Sequence, residues 1–198
     1  MLIKKSQIPI LIFVLVYLLI YSIIFFMRKN YEFIAYVGVI VLLFILILFT
    51  NKRVNYPNLV LWGLAVWGFL HMSGGALRIG SEKIYGLVLI PIVGEPYNIL
   101  RYDHLGHIFG FGVATLVMFV LLKPLIKFPI KNWWKISLII MMAGMGVGAF
   151  NEVVEFVTTV FVSETGVGGY INTSLDLVSN LIGACLAMLY IQLKKGEI

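Results

Sequence analysis

Nine acids and three histidines carry nearly all the acid–base and metal-binding capacity of this 198-residue chain, and several of them recur at helical spacing. Asp103-His104-x-x-His107 and Asn151-Glu152-x-x-Glu155 share one i, i+1, i+4 pattern, while Asn172, Asp176 and Asn180 follow i, i+4, i+8. At ~100° per residue a helix confines each of the first two trios to roughly a 100° arc and the third to a single stripe. Imidazole and carboxylate donors together suit Zn, Fe or Mn. His71, Asp103, His107 and Asp176 are therefore the candidate metal ligands, with Glu152 and Glu155 the candidate catalytic groups, one of them as general base. Without a divalent metal as cofactor, four carboxylates at low dielectric must protonate or pair with bases, and Arg78, Lys83, Arg101 and the histidines are the bases within reach. Each residue also has a plainer reading. His71 can be an interhelical hydrogen-bonding histidine, Asp103 and Asp176 first-turn acids that favour the helix dipole, and His104 a headgroup-facing side chain. Glu152 and Glu155 have no such explanation, because both lie mid-helix.

The elements that must position these residues are membrane spans. The chain is 61% hydrophobic and 12% charged, with a mean hydropathy of +1.02, which no soluble domain of this length shows. The fold class expected is all-α: one polytopic bundle with spans at about 8–27, 31–50, 58–77, 103–122, 134–162 and 173–193. The first run is too long for a signal-peptide core and lacks a cleavage site before Arg28-Lys29. Between spans three and four, residues 78–102 carry Gly80, Gly86, Pro91, Gly94 and Pro96 around an apolar stretch too short to cross, which predicts an interfacial or re-entrant segment. The fifth run exceeds a bilayer's thickness and must tilt, kink or project. Glycines and alanines in spans four to six read as close helix contacts, not as a nucleotide loop. Cys185 has no second thiol to pair with.

The bases sit singly or in pairs beside apolar runs, so they signal topology and not nucleic-acid binding. Ten fall on the side of the termini, from Lys4 and Lys5 through Lys123–Lys135 to Lys194 and Lys195. Five, namely Arg28, Lys29, Arg78, Lys83 and Arg101, fall on the other. The positive-inside rule then puts both termini in the cytoplasm, in a multi-pass protein of the plasma (inner) membrane. Depth follows from topology. His71, on an outward-running span, lies ~20 Å from the inner edge of a ~30 Å core, and spans four to six bring their polar residues to the same outer level. His71, Asp103, His107, Glu155 and Asp176 are thus expected to converge in one outward-opening chamber lined by spans three to six.

At these residues the sequence resembles the YjdF-type family of small inner-membrane proteins and, more distantly, the VanZ-like family. The similar pieces are Phe69 to Gly75, Tyr102 to Gly110, Asn151 to Phe156, and Asn172 through Asp176 to Ala184. The resemblance implies that His71, Asp103, His107, Glu152, Glu155 and Asp176 occupy the family's motif positions. Three functions compete. The first is a metal-dependent enzyme acting on a lipid or envelope-precursor headgroup, although no His-Glu-x-x-His signature is present. The second is a proton- or cation-coupled transporter, against which the apolar inner half of spans three to six counts. The third is a non-catalytic scaffold in which the polar cluster holds helices together. The lipid bilayer is the one partner the sequence requires; it leaves the oligomeric state open.

Overall fold

The structure, a computed structural model, describes residues 3–163 and 165–197. Six helices follow in order: α1 (Ile8–Met27), α2 (Tyr31–Val54), α3 (Asn58–Ala76), α4 (Tyr102–Leu122), α5 (Trp133–Phe161) and α6 (Tyr170–Leu193). All six are long and apolar enough to cross a membrane. Their ends follow local chemistry. Pro9 lies in the first turn of α1, where its missing N–H costs nothing. The Asn30 side chain caps α2 by accepting from the Phe33 amide at 3.2 Å. Asn55 closes α2 in the left-handed region, φ 57°, just before Pro57. This cap extends α2 four residues beyond the expected 31–50, taking in Asn51, Lys52 and Arg53. Gly169 lets α6 start at Tyr170, three residues earlier than its apolar run suggests.

Two ends of the bundle are distinct. At the end bearing the termini, Asn51 donates to Gln7 Oε1 at 2.8 Å, tying α2 to the chain before α1. At the other end the α1–α2, α3–α4 and α5–α6 connections gather, with Arg28 donating to the Ala76 carbonyl. The α3–α4 segment forms a small antiparallel hairpin, β1 (Arg78–Ile79) with β2 (Glu82–Lys83), and then a 3-10 turn over Ile84–Gly86. The chain next makes an excursion with exposed Ile90 and Ile92, and closes where the Tyr102 amide donates to the Leu87 carbonyl at 2.9 Å.

Helix α4 is central, packing against α3, α5 and most extensively α6. The α4–α6 approach needs a residue without a side chain: a Cβ on Gly183 would stand 2.1 Å from the Ile108 carbonyl oxygen. Towards the terminal end the same helices close on Phe119, Ile140, Met188 and Ile191, each 2% exposed or less. The floor beneath the polar cluster is therefore densely packed hydrocarbon.

Candidate functional site

The site is built around His107 on α4, which is 7% exposed. Its Nδ1 lies 2.9 Å from Asn180 Oδ1 on α6. An amide oxygen only accepts, so Nδ1 carries the ring proton and the lone pair is left on Nε2. That lone pair faces Asp103 Oδ1, one helical turn back, at 3.5 Å and Asp176 Oδ1, from α6, at 3.9 Å. Asp176 is fully buried. Its Oδ2 accepts from Asn172, while Oδ1 has no hydrogen-bond partner among the described residues. A buried carboxylate oxygen left unsatisfied costs several kcal/mol, so a proton or a cation is required between these acceptors. Each of the three residues offers a ligand atom within 4.8 Å of the other two. Ligand bonds of roughly 2.0–2.2 Å separate neighbouring donors by roughly 3–4 Å, so the trio needs little adjustment to hold an ion.

A second group lies on the other side of the ring. His107, Glu152 and Glu155 also offer atoms within 4.8 Å of one another. Glu152 Oε1 is 3.8 Å from His107 Nδ1, buried and without a hydrogen bond among the described residues. Glu155 accepts from the Asn151 side chain at 2.8 Å, the i, i+4 contact their spacing implies.

The structure thus brings Asp103, His107, Glu152, Glu155 and Asp176 together. His71 lies beside this group and outside both ligand trios. Its Nδ1 shares a hydrogen bond with the Tyr85 hydroxyl, and its ring is surrounded by Phe33, Tyr36, Trp67 and Tyr85. Tyr85 comes from the α3–α4 segment. Burial, reinforced by the Asp103 and Glu155 carboxylates, pushes its phenol well above its ordinary value of 10.0, so it stays protonated. His104 is 3% exposed and faces no headgroup: its Nδ1 accepts from the Leu100 and Arg101 amides at 3.1 and 3.2 Å, capping α4. That leaves Asp103 free of the capping role.

His71, Asp103 and Glu155 line a shared cavity of about 90 Å³, with walls from α2 as well as α3 to α6. Glu32 on α2 is the residue the sequence reading missed. It is 5% exposed, accepts from the Gly166 amide at 2.9 Å and pairs with Lys83 Nζ at 3.4 Å, clamping two loops over the cavity mouth. An acid in the first turn of an apolar helix was its only signal, and dipole preference explains that equally well. Of the candidate bases, Arg78 turns back to its own hairpin and donates to the Ser81 carbonyl. Arg101 lines the cavity but forms no ion pair among the described residues, so neither arginine locks the cluster.

Six apolar helices around a buried His/Asp/Glu group define a multi-pass membrane protein with a polar site in its helical core. The chain belongs to the family described as predicted membrane protein DUF2238, whose model matches residues 8–195. No curated protein and no solved structure matches it.

Proposed function

We propose that Asp103, His107 and Asp176 hold a divalent transition-metal ion and that the protein is a hydrolytic enzyme acting on a lipid or envelope-precursor headgroup at the outer membrane face. One observation carries this reading: His107 Nε2, Asp103 Oδ1 and the buried Asp176 Oδ1 face one another, with the His107 tautomer set by Asn180 and Asp176 Oδ1 without a hydrogen-bond partner among the described residues. An ion held there would supply Lewis acidity and activate water as a nucleophile near neutral pH. Glu155 lines the cavity and is the general base. In that role Glu155 would accept the attacking water's proton and return it to the leaving oxygen as the ester bond breaks. Glu152 stands behind His107, 3.8 Å from Nδ1, and would help orient the ring toward the ion. The resemblance to the YjdF-type proteins through Tyr102–Gly110 and Asn151–Phe156 supports treating these residues as one site.

The packed apolar floor of Phe119, Ile140, Met188 and Ile191 favours this reading over a transporter, which needs a polar route through the other half of the bundle. Elemental analysis of the purified protein tests it. One transition-metal ion per chain is expected, and it is lost in His107→Ala with folding intact. Wild-type protein without metal after purification and reconstitution with Zn, Fe or Mn would remove the enzyme reading.

A further inference from the structure

The cavity beside the cation trio is lined by two bases, Arg101 and Lys83, as well as by the acids Glu32, Asp103 and Glu155. Arg101 lines it, and its buried Nε has no hydrogen-bond partner among the described residues. Lys83 lines it too, paired with Glu32 at 3.4 Å and lying over the Phe33 ring, 5.5 Å from its centroid. Asp103 belongs both to this wall and to the trio, so the cation position and the two bases border one space. About 90 Å³ has room for several water molecules, and so for one compact anionic group. A guanidinium fork, an ammonium and a cation arranged around one space match an oxyanion with several acceptor oxygens.

A second cavity says where that anion comes from. Between α2 and α5 runs a cleft of about 440 Å³, lined by Ala35 and Val39 on one side and by Val153, Val154, Val157 and Phe161, among others, on the opposite side. No charged residue lines it. The two linings interleave along the same helices. Tyr36, in the polar cavity, sits between Ala35 and Val39, and Glu155, also in the polar cavity, sits between Val154 and Val157. An apolar slot thus runs alongside the anion pocket, on helices that face lipid with Phe150, Phe156 and Val160 exposed.

We infer that the protein binds a lipid bearing a terminal phosphate, a phosphomonoester, with the phosphate held by Arg101 and Lys83 beside the cation trio and one hydrocarbon chain lying in the α2–α5 cleft. This rests on the enzyme reading and names its substrate class. The test is a titration of the purified protein with dihexanoyl phosphatidic acid, dihexanoyl phosphatidylcholine and inorganic phosphate, with metal content measured on the same samples. Wild type binds the phosphatidic acid more tightly than either of the others. Arg101→Gln weakens that binding by about tenfold or more, as loss of a charge-assisted contact does. Lys83→Gln weakens it less, and Val157→Trp, which fills the cleft, weakens the lipid but not inorganic phosphate. Arg101→Lys, which keeps the charge, retains part of the binding; if Arg101→Gln does not fold, Lys83→Gln and Val157→Trp decide. Unchanged binding in well-folded Arg101→Gln and Lys83→Gln overturns the inference, as does equal affinity for the choline lipid. Equal affinity for inorganic phosphate overturns the lipid assignment. Metal-free wild type that still loses phosphatidic acid on Arg101→Gln sinks the enzyme reading alone, whereas a metal-loaded protein indifferent to Arg101→Gln sinks this inference alone.

Discussion

His107 is held by neighbours of different kinds on its two ring nitrogens, and its proposed role depends on that asymmetry. Asn180 accepts at Nδ1 and two carboxylate oxygens face Nε2. Orienting partners of this sort typically change metal affinity by ten- to a hundredfold. Asn180→Ala is therefore expected to weaken metal binding by about that factor in a competition titration, without removing any ligand. Glu155 separates catalysis from packing. Glu155→Gln keeps size and hydrogen bonding and is expected to abolish turnover while metal content and abundance stay at wild-type levels. Full turnover in that variant would remove Glu155 as the general base. Because all three ligands must be free of protons, metal affinity is expected to fall on acidification. Tyr85 contributes nothing to that loss. Its folded value lies above its ordinary 10.0, so its contribution is complete below pH 10 and is lost only at higher pH. At this scale much was legible, since i, i+4 spacing put Asp103 beside His107 and Asn151 beside Glu155. The tautomer was not, because its partner lies 73 positions away on another helix.

Among the elements, α4 and α6 set the site's dimensions, and their approach is fixed by Gly183 against the Ile108 carbonyl. An added methyl group meets backbone, which cannot rotate away, so the helices must separate. Gly183→Ala is expected to cost about 1–3 kcal/mol, as overpacking does, and to lower thermal stability in detergent together with metal affinity. Gly146, where a Cβ meets nothing within 4 Å, is the control, and Gly146→Ala leaves both unchanged. The six helices were readable from apolar run length, because lipid enforces that pattern. Residues 78–102 were readable as an interfacial or re-entrant segment, too short and too rich in glycine and proline to cross. That this segment drops Tyr85 onto His71 and Lys83 onto Glu32 depends on pairings with spans two and three, which local sequence does not encode. The chamber was expected from spans three to six alone, yet Glu32 and Tyr36 make α2 a wall of the cavity.

For the whole molecule, the bases divide ten to five between the two ends of the bundle. We propose on that ground that the termini face the cytoplasm and that the cavity opens outward. Single cysteines introduced in a Cys185→Ser background test the orientation. Glu82→Cys, on the exposed hairpin, is expected to react with a membrane-impermeant thiol reagent in intact cells, while Lys127→Cys, exposed at the other end, reacts only after lysis. The reverse pattern would place the cavity in the cytoplasmic half and rule out an envelope substrate.

The central claim is that one ion sits between Asp103, His107 and Asp176, and X-ray absorption at the metal edge of the purified, reconstituted protein tests it most directly. The account predicts a first coordination sphere of one imidazole nitrogen and carboxylate or water oxygens at roughly 2.0–2.2 Å, with no sulfur, and its disappearance in Asp176→Asn. A sphere with several imidazoles or with sulfur, or a spectrum unchanged in Asp176→Asn, would contradict it.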